Sequence, residues 1–213
     1  MTEILLIRHG ETLWNQQGRM QGQNDSPLTP TGLQQARQLA HRMKDVSFTT
    51  LYSSDLGRAH QTARCIADRS GHEVITDPGL RERHFGIFEG LTNNEIKLAH
   101  PEDYELFAKR EPHYAMPGGE SAAQFRDRVI VTLDAIAGRH EGETIVVVSH
   151  GLVLDALYRT ACGMALDVPR GFALLNCSLN TFRRGAEGWT AVSVCDVTHL
   201  AADDVTRFSD ANV

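Results

Sequence analysis

Short apolar segments alternate with amphipathic segments along most of the chain. Residues 3–7 form a strand-like segment, in which residues 4–7 are apolar. By contrast, residues 30–44 carry apolar side chains at helical spacing behind Thr29 and Pro30, a capping residue and a first-turn proline. The same succession follows with a predicted strand at 50–52 and then a second helix. This alternation predicts an α/β domain with a mostly parallel central sheet.

The middle of the chain departs from this pattern. Between Gly86 and Gly118, helical fragments at 93–99 and 102–110 lie between prolines, which predicts a cap-like insertion around residues 90–118. We expect residues 1–213 to form a single domain that carries this insertion. The remaining predictions are a helix capped by Ser54 or Asp55, a strand at 73–76, a long helix behind a Ser121–Gln124 capping box, a central strand at 145–149, a helix at 152–162, a hairpin of 180–184 with 190–197, and a frayed tail after Leu200.

Composition narrows the class of protein. Hydrophobic residues make up 41% and charged residues 23% of the 213 positions, which is typical of a folded domain. The net charge of −6 lacks the positive field of nucleic-acid binders, and no apolar run is long enough to cross a membrane. The sequence shows no secretory signal, and its four cysteines form no CxxC pair. We therefore expect a cytoplasmic protein with reduced thiols. The sequence leaves open whether the protein forms a homodimer.

Two predicted strands end in the same pattern, a histidine followed by a glycine. These pairs are His9–Gly10 and His150–Gly151. Ligands bind beyond the carboxyl ends of strands in open α/β sheets, so both histidines fall where a site is expected if the strands are neighbours. Glycine lets the backbone approach a ligand and offer its N–H groups.

Histidine and arginine together suit phosphoryl chemistry. A neutral imidazole is a nucleophile near neutral pH, and a guanidinium binds a phosphoryl group through two donors. Arg8 adjoins His9, and Arg58 lies near the start of the second predicted helix. Two alternatives stay open at this point: both histidines are ordinary core residues, or His9 and His150 bind a metal with Asp25 and Glu82.

Six segments carry a resemblance to a known family. In sequence order they read RHGETLWN (8–15), MQGQNDSPLT (20–29), SSDLGRAHQTA (53–63), LRERHFGIFEG (80–90), PGGES (117–121) and VVSHG (147–151). This ordered set resembles the histidine phosphatase superfamily, which includes the phosphoglycerate mutases and related phosphomonoesterases. The resemblance implies a three-layer α/β/α fold of the phosphoglycerate mutase type, with a small helical insertion.

The resemblance also implies catalytic roles. His9 matches the nucleophile that becomes phosphorylated, and Arg8, Arg58 and His150 match the groups around the phosphoryl oxygens. Glu82 matches the acid that protonates the leaving oxygen and then deprotonates the attacking water. No metal ion or other cofactor is implied, because arginines and a second histidine supply the positive charge.

Further residues are candidates for substrate binding. Asn15 and Gln21 match positions around the phosphoryl group, Gly10 and Gly151 provide close backbone approach, and Arg83 is suited to a second acidic group on the substrate. Arg81 and Arg83 flank Glu82, so we expect them to lower its pKa, and a surface ion pair stays open as the alternative.

Hydrolysis is favoured over phosphoryl transfer. Cofactor-dependent mutases of this family carry a longer middle insertion rich in cations, whereas residues 90–117 offer only Lys97, Lys109 and Arg110. We therefore predict a metal-independent phosphomonoesterase of the histidine acid phosphatase type, acting on small phosphorylated metabolites through a phosphohistidine. The alternatives are a phosphoglycerate mutase and a non-catalytic sensor of a phosphorylated ligand.

Overall fold

A six-stranded sheet forms the centre of the protein in a computed structural model, which describes residues 1–205. The strands are β1 (Thr2–Arg8), β2 (Thr50–Ser53), β3 (Val74–Thr76), β4 (Thr144–Ser149), β5 (Leu179–Gly185) and β6 (Gly188–Asp196). Their order is β3-β2-β4-β1-β5-β6, in which β3, β2, β4 and β1 pair in parallel, and β5 and β6 pair antiparallel at one edge. The predicted mostly parallel sheet is confirmed.

Helices cover both faces of this sheet. They are α1 (Leu13–Gln17), α2 (Pro30–Met43), α3 (Gly57–Ser70), α4 (Asn93–Ala99), α5 (Pro101–Ala108), α6 (Ala122–Gly138) and α7 (Gly151–Cys162). One apolar core joins α2 and α3 to one face of the sheet, and a second joins α6 and α7 to the other. The predicted three-layer α/β/α architecture is therefore confirmed. No helix within residues 1–205 is long and apolar enough to span a membrane.

The central strands place the two histidine–glycine pairs side by side. In the parallel pair of β1 and β4, Ile7 lies opposite Val148 and Arg8 opposite Ser149. The next residue of each strand is a histidine, so His9 and His150 lie at the same sheet edge. Sequence alone could not show this adjacency, since it depends on the strand order.

The segment predicted to be an insertion contributes to a small apolar core separate from those of the sheet. Phe85, Phe88, Ile96, Phe107 and Met116 are buried together around α4, α5 and the short 3-10 turn that precedes them. Their aromatic and thioether side chains therefore serve mainly to pack this segment.

The structure differs from the sequence prediction in three places. Helix α1 is absent from the predicted elements, because its five residues are too few for a periodic pattern; Thr12 caps it through a capping box with Asn15. Helix α3 has Leu56 at its N-cap, without a side-chain cap, rather than Ser54 or Asp55. Of the tail expected to fray, 201–205 lies against α2, where Gln35 and Gln38 donate to Asp204; the remainder falls outside the described residues.

Two glycines allow the end of β1 to pack directly on α2. A Cβ built on Gly10 would lie 2.5 Å from the carbonyl oxygen of Gly32, and one on Gly32 would lie 2.0 Å from that of Glu11. Neither neighbour is a flexible side-chain end, so the backbone itself would have to shift. The chain directly after His9 is thus fixed by a backbone-to-backbone contact.

We predict that Gly32→Ala lowers the free energy of unfolding by about 2 kcal/mol, because overpacking forces the backbone to move. Urea denaturation measures the change. Gly138→Ala is the matched control: a Cβ there meets nothing within 4 Å, and alanine in a helix raises stability by up to about 1 kcal/mol. Equal stability of the two variants would contradict this close contact.

Candidate active site

Two buried imidazoles form the centre of the candidate site. The ring centroids of His9 and His150 are 5.3 Å apart at an interplanar angle of 62°. His9 is 2% exposed and His150 is fully buried. The structure thus brings together the two histidines that sequence analysis selected.

The tautomer of His9 is set by a backbone carbonyl. Its Nδ1 lies 2.7 Å from the carbonyl oxygen of Gly10, which can only accept, so Nδ1 carries the proton and Nε2 keeps its lone pair. Burial, with smaller effects from the charges of Arg58 and Arg8, lowers the pKa of His9 well below its ordinary value of 6.5. His9 is therefore a neutral imidazole with Nε2 available as a nucleophile.

His150 is bonded on one side of its ring. Its Nε2 lies 2.9 Å from Ser54 Oγ, and within residues 1–205 its buried Nδ1 has no hydrogen-bond partner. Burial lowers the pKa of His150 well below 6.5, with further effects from the charges of Arg58, His9 and Arg8. A buried nitrogen without a protein partner is a group that a bound ligand can satisfy.

Arg58 is held by the loop after α1. Its Nη1 donates to the Asn24 carbonyl at 2.8 Å, and its Nη2 donates to the Gly22 carbonyl at 2.7 Å. Asp25 Oδ1 lies 3.3 Å from both Arg58 Nη1 and the Arg58 backbone nitrogen, so it pairs the charge and also accepts from the first turn of α3. The guanidinium is 99% buried yet remains charged and oriented.

Arg8 lies against the start of α7. Its Nη1 donates to the carbonyl of Leu174, in the loop before β5. A Cβ on Gly151 would lie 3.3 Å from Arg8 Nε, so this glycine provides the space that the guanidinium occupies. A contact between Gly151 and substrate stays a prediction.

The backbone of Gly10 is bonded within the protein. Its N–H donates to Thr62 Oγ1 at 3.1 Å, and a contact between Gly10 and substrate stays a prediction. Its carbonyl accepts from His9, and its lack of a side chain serves the contact with Gly32. Gly10 thus positions the histidine from behind.

Two amide side chains lie beside Thr12. Its Oγ1 is 3.1 Å from Asn15 Oδ1 and 3.0 Å from Gln21 Oε1. Both residues are more than 90% buried, and both amide oxygens face the Thr12 hydroxyl. An amide NH₂ group is a hydrogen-bond donor, which suits an anion.

Glu82 differs from the expectation for a carboxylate between two arginines. Arg81 instead forms a two-point pair with Asp55, at 2.8 and 2.5 Å. Arg83 donates to the Glu120 carbonyl at 2.9 Å, and its own burial lowers its pKa to about 10. The alternative left open by the sequence, a surface ion pair of Glu82, is therefore excluded.

Burial determines the protonation of Glu82. Its carboxylate accepts the backbone N–H groups of Arg83 at 2.9 Å and of Leu152 at 3.2 Å. Burial raises its pKa above 4.5 against these bonds and the charges of Arg58 and Arg8, so the predicted lowering of the pKa is also wrong. A carboxyl with a raised pKa is suited to donating a proton.

The structure does not gather the four residues of the metal hypothesis. Within residues 1–205, no three His, Cys, Asp or Glu side chains form a group that would hold a metal ion. Asp25 faces Arg58 rather than the histidines.

Arg83 faces a separate cavity. This cavity, of about 70 Å³, lies between the insertion, α6 and α7, and Phe107, Tyr114, Leu152 and Asp155 also line it. His9 and His150 are not in its wall. Substrate binding by Arg83 stays a prediction.

Sequence analysis missed three residues that hold this site together. Ser54 bonds His150, Thr62 bonds Gly10, and Asn176 donates to the His9 carbonyl at 2.9 Å. Thr62 lies one helical turn after Arg58, a spacing that could have indicated it. Asn176 lies in a loop without periodicity, and no local pattern indicates its role.

Comparison with known proteins agrees with this geometry. Phosphoglycerate mutase-like protein 4 from Arabidopsis thaliana is 42% identical over 202 residues, which cover 93% of this chain and 86% of that protein. Among solved structures, YhfR from Bacillus stearothermophilus has a TM-score of 0.86 and 35% identity, covering 93% of this chain and 99% of that chain. A phosphoserine phosphatase mutant from Entamoeba histolytica, in complex with phosphoserine, has a TM-score of 0.84 and 33% identity, covering 94% and 100%.

The family model of the histidine phosphatase superfamily (branch 1) matches residues 4–197, which include all six sequence segments. The match extends from β1 through β6, so it covers the sheet, the insertion and both histidines. The chain belongs to the histidine phosphatase superfamily, branch 1.

Proposed function

We propose that the protein is a phosphomonoesterase that hydrolyses small phosphorylated metabolites through a phosphohistidine on His9. The observation that carries this proposal is the neutral His9 ring, with Nδ1 bonded to the Gly10 carbonyl and Nε2 unprotonated. Arg8, Arg58 and His150 supply donors and positive charge for the phosphoryl oxygens, so the reaction as proposed needs no metal ion.

The first step forms the phosphoenzyme. His9 Nε2 attacks phosphorus, the bond from phosphorus to the ester oxygen breaks, and Glu82 donates its proton to that oxygen. The imidazole ring gains positive charge as the new bond forms, and the Nδ1–H bond to Gly10 stabilises this charge.

The second step releases phosphate. Glu82, now a carboxylate, takes a proton from water while the water oxygen bonds to phosphorus. The bond between Nε2 and phosphorus then breaks, which restores neutral His9 and the protonated acid. In this proposal Asn15 and Gln21 donate their amide N–H groups to the bound phosphate.

Hydrolysis is the favoured outcome because the insertion is short and its core is occupied by packing side chains. Both a mutase-like protein and a phosphoserine phosphatase are among its relatives, which supports small phosphorylated metabolites as the substrate class. We also propose that Arg83 selects an acidic group on the leaving part of the ester. In support, the cavity that Arg83 lines is also lined by Leu152, whose N–H donates to Glu82.

We predict that His9→Ala lowers phosphate release by roughly 10⁴-fold or more, because the nucleophile is lost. Phosphate release is measured on a panel of metabolite phosphates in a chelator, with and without a bisphosphorylated primer. Exposed His41→Ala is the matched control and should keep wild-type turnover. Alkaline quenching should trap phosphate on His9. Primer-dependent transfer that exceeds hydrolysis would show a mutase instead, and turnover by His9→Ala would overturn the nucleophile assignment.

We further predict that kcat/KM falls on both sides of a pH optimum. Because burial raises the pKa of Glu82 above 4.5, this carboxyl stays protonated to a higher pH than an ordinary glutamic acid does. The kcat/KM for an alkyl phosphate therefore falls as the pH rises through that raised pKa. On the acid side kcat/KM falls only when His9 is protonated, well below pH 6.5.

Glu82→Gln should lower kcat/KM for the alkyl ester by about 10²-fold and for a nitrophenyl ester far less, since only the poor leaving group needs the proton.

The matched control for this experiment is Glu141→Gln, whose side chain is 89% exposed. The substrate ionises in the same way with Glu82→Gln and with Glu141→Gln. A difference between the two variants therefore reports on the Glu82 carboxyl. An equal loss on the two esters would show that Glu82 is not the acid.

A further inference from the structure

The backbone that carries Glu82 belongs to no regular element. The 3-10 turn Pro78–Leu80 ends just before it, and residues 81–85 form neither helix nor strand. No sheet ladder therefore fixes the position of this carboxyl. Its location depends on whatever else bonds the segment.

Arg128, on α6, bonds this segment at three carbonyls. Its Nη1 donates to the carbonyls of Gly79 at 2.9 Å and Arg81 at 3.0 Å, and its Nη2 donates to that of Glu82 at 3.2 Å. A planar guanidinium can do this because its donors point in fixed, divergent directions. Arg128 thus bonds three of the four carbonyls of residues 79–82, and Ser149 Oγ donates to the fourth, that of Leu80, at 2.7 Å.

Glu120 fixes Arg128 and the far side of the same segment. Its Oε1 and Oε2 accept from Arg128 Nε and Nη2 at 2.8 and 2.7 Å. Its Oε2 also accepts the His84 N–H at 2.9 Å, and its own N–H donates to the His84 carbonyl at 2.8 Å. The ion pair is only 25% and 22% exposed, so these bonds are shielded from water.

We propose that Arg128, oriented by Glu120, is a positioning residue for the general acid. It holds the backbone of residues 79–82 so that the Glu82 carboxyl reaches both the leaving oxygen and the attacking water. This inference rests on the proposed function, because it presupposes that Glu82 transfers the proton. Arg128 itself does not touch the substrate.

The experiment compares Arg128→Lys and Arg128→Gln with wild type on an alkyl and a nitrophenyl phosphate. Lysine keeps the charge but cannot bond three carbonyls and a carboxylate in a fixed fork, so we expect both variants to lose alkyl kcat/KM. A displaced carboxyl should cost about 10-fold or more on the alkyl ester. Nitrophenyl kcat/KM should change by less than about 3-fold, since that leaving group needs little protonation.

A second signature concerns the water step. With the nitrophenyl ester, kcat and KM should fall together, because a misplaced Glu82 slows hydrolysis of the phosphoenzyme after its formation. Phosphorylated His9 should then accumulate at steady state, which the alkaline quench measures. A purely structural lesion lowers the active fraction instead and leaves KM unchanged.

Arg184→Gln is the matched control. Arg184 is similarly exposed at 33%, pairs with Asp134 of α6 at 2.7 Å and donates to the Gly185 carbonyl, but it lies at the opposite end of the sheet. It should lose stability in urea denaturation without any change in the alkyl-to-nitrophenyl ratio.

Each outcome of the comparison has one meaning. The inference is supported if the Arg128 variants lose kcat/KM on the alkyl ester alone. It also requires that the same substitutions cause no further loss in a chain that already carries Glu82→Gln. An equal loss of kcat/KM on both esters overturns the inference. So does a full additional loss when an Arg128 substitution is added to Glu82→Gln. Either result leaves the proposed function standing. If Glu82→Gln itself shows no leaving-group effect, the acid assignment fails and this inference fails with it.

Discussion

The adjacency of β1 and β4 is the constraint on which the site depends. Because these parallel strands end together, two imidazoles lie 5.3 Å apart in a space that is almost closed to water. Ionisation of either ring would bring another positive charge beside buried Arg58 and Arg8. Both rings therefore stay neutral, and the positive potential remains available for a phosphoryl group.

The same burial acts in opposite directions on the two kinds of titratable group. It disfavours the charged form of each, so it lowers the pKa of the imidazoles and raises that of Glu82. Nucleophile and acid are thus both prepared by one cause, without any special pairing. Arg58, by contrast, stays charged in the same environment because two carbonyls and Asp25 bond it.

Patterns in the sequence predicted most of the elements, and they singled out the two histidines that the fold brings together. Continuous apolar runs indicated β1 and β4, and the capping box at Ser121 indicated α6 correctly. The sequence was misleading where long-range contacts decide the local structure. Helix α3 has no local cap because the carboxylate of Asp25, from a distant loop, accepts from its first turn. Neighbouring arginines also suggested a charged Glu82, yet both turn to other partners in the folded chain.

The protonation state of His9 tests the account most directly. Nitrogen NMR of the ¹⁵N-labelled protein reports whether each ring nitrogen carries a proton. At pH 6.5, where an ordinary histidine is half protonated, we expect His9 to show a protonated Nδ1 and an unprotonated Nε2. A doubly protonated His9 ring at that pH, or a proton on Nε2 alone, would contradict the claim that burial supplies the nucleophile.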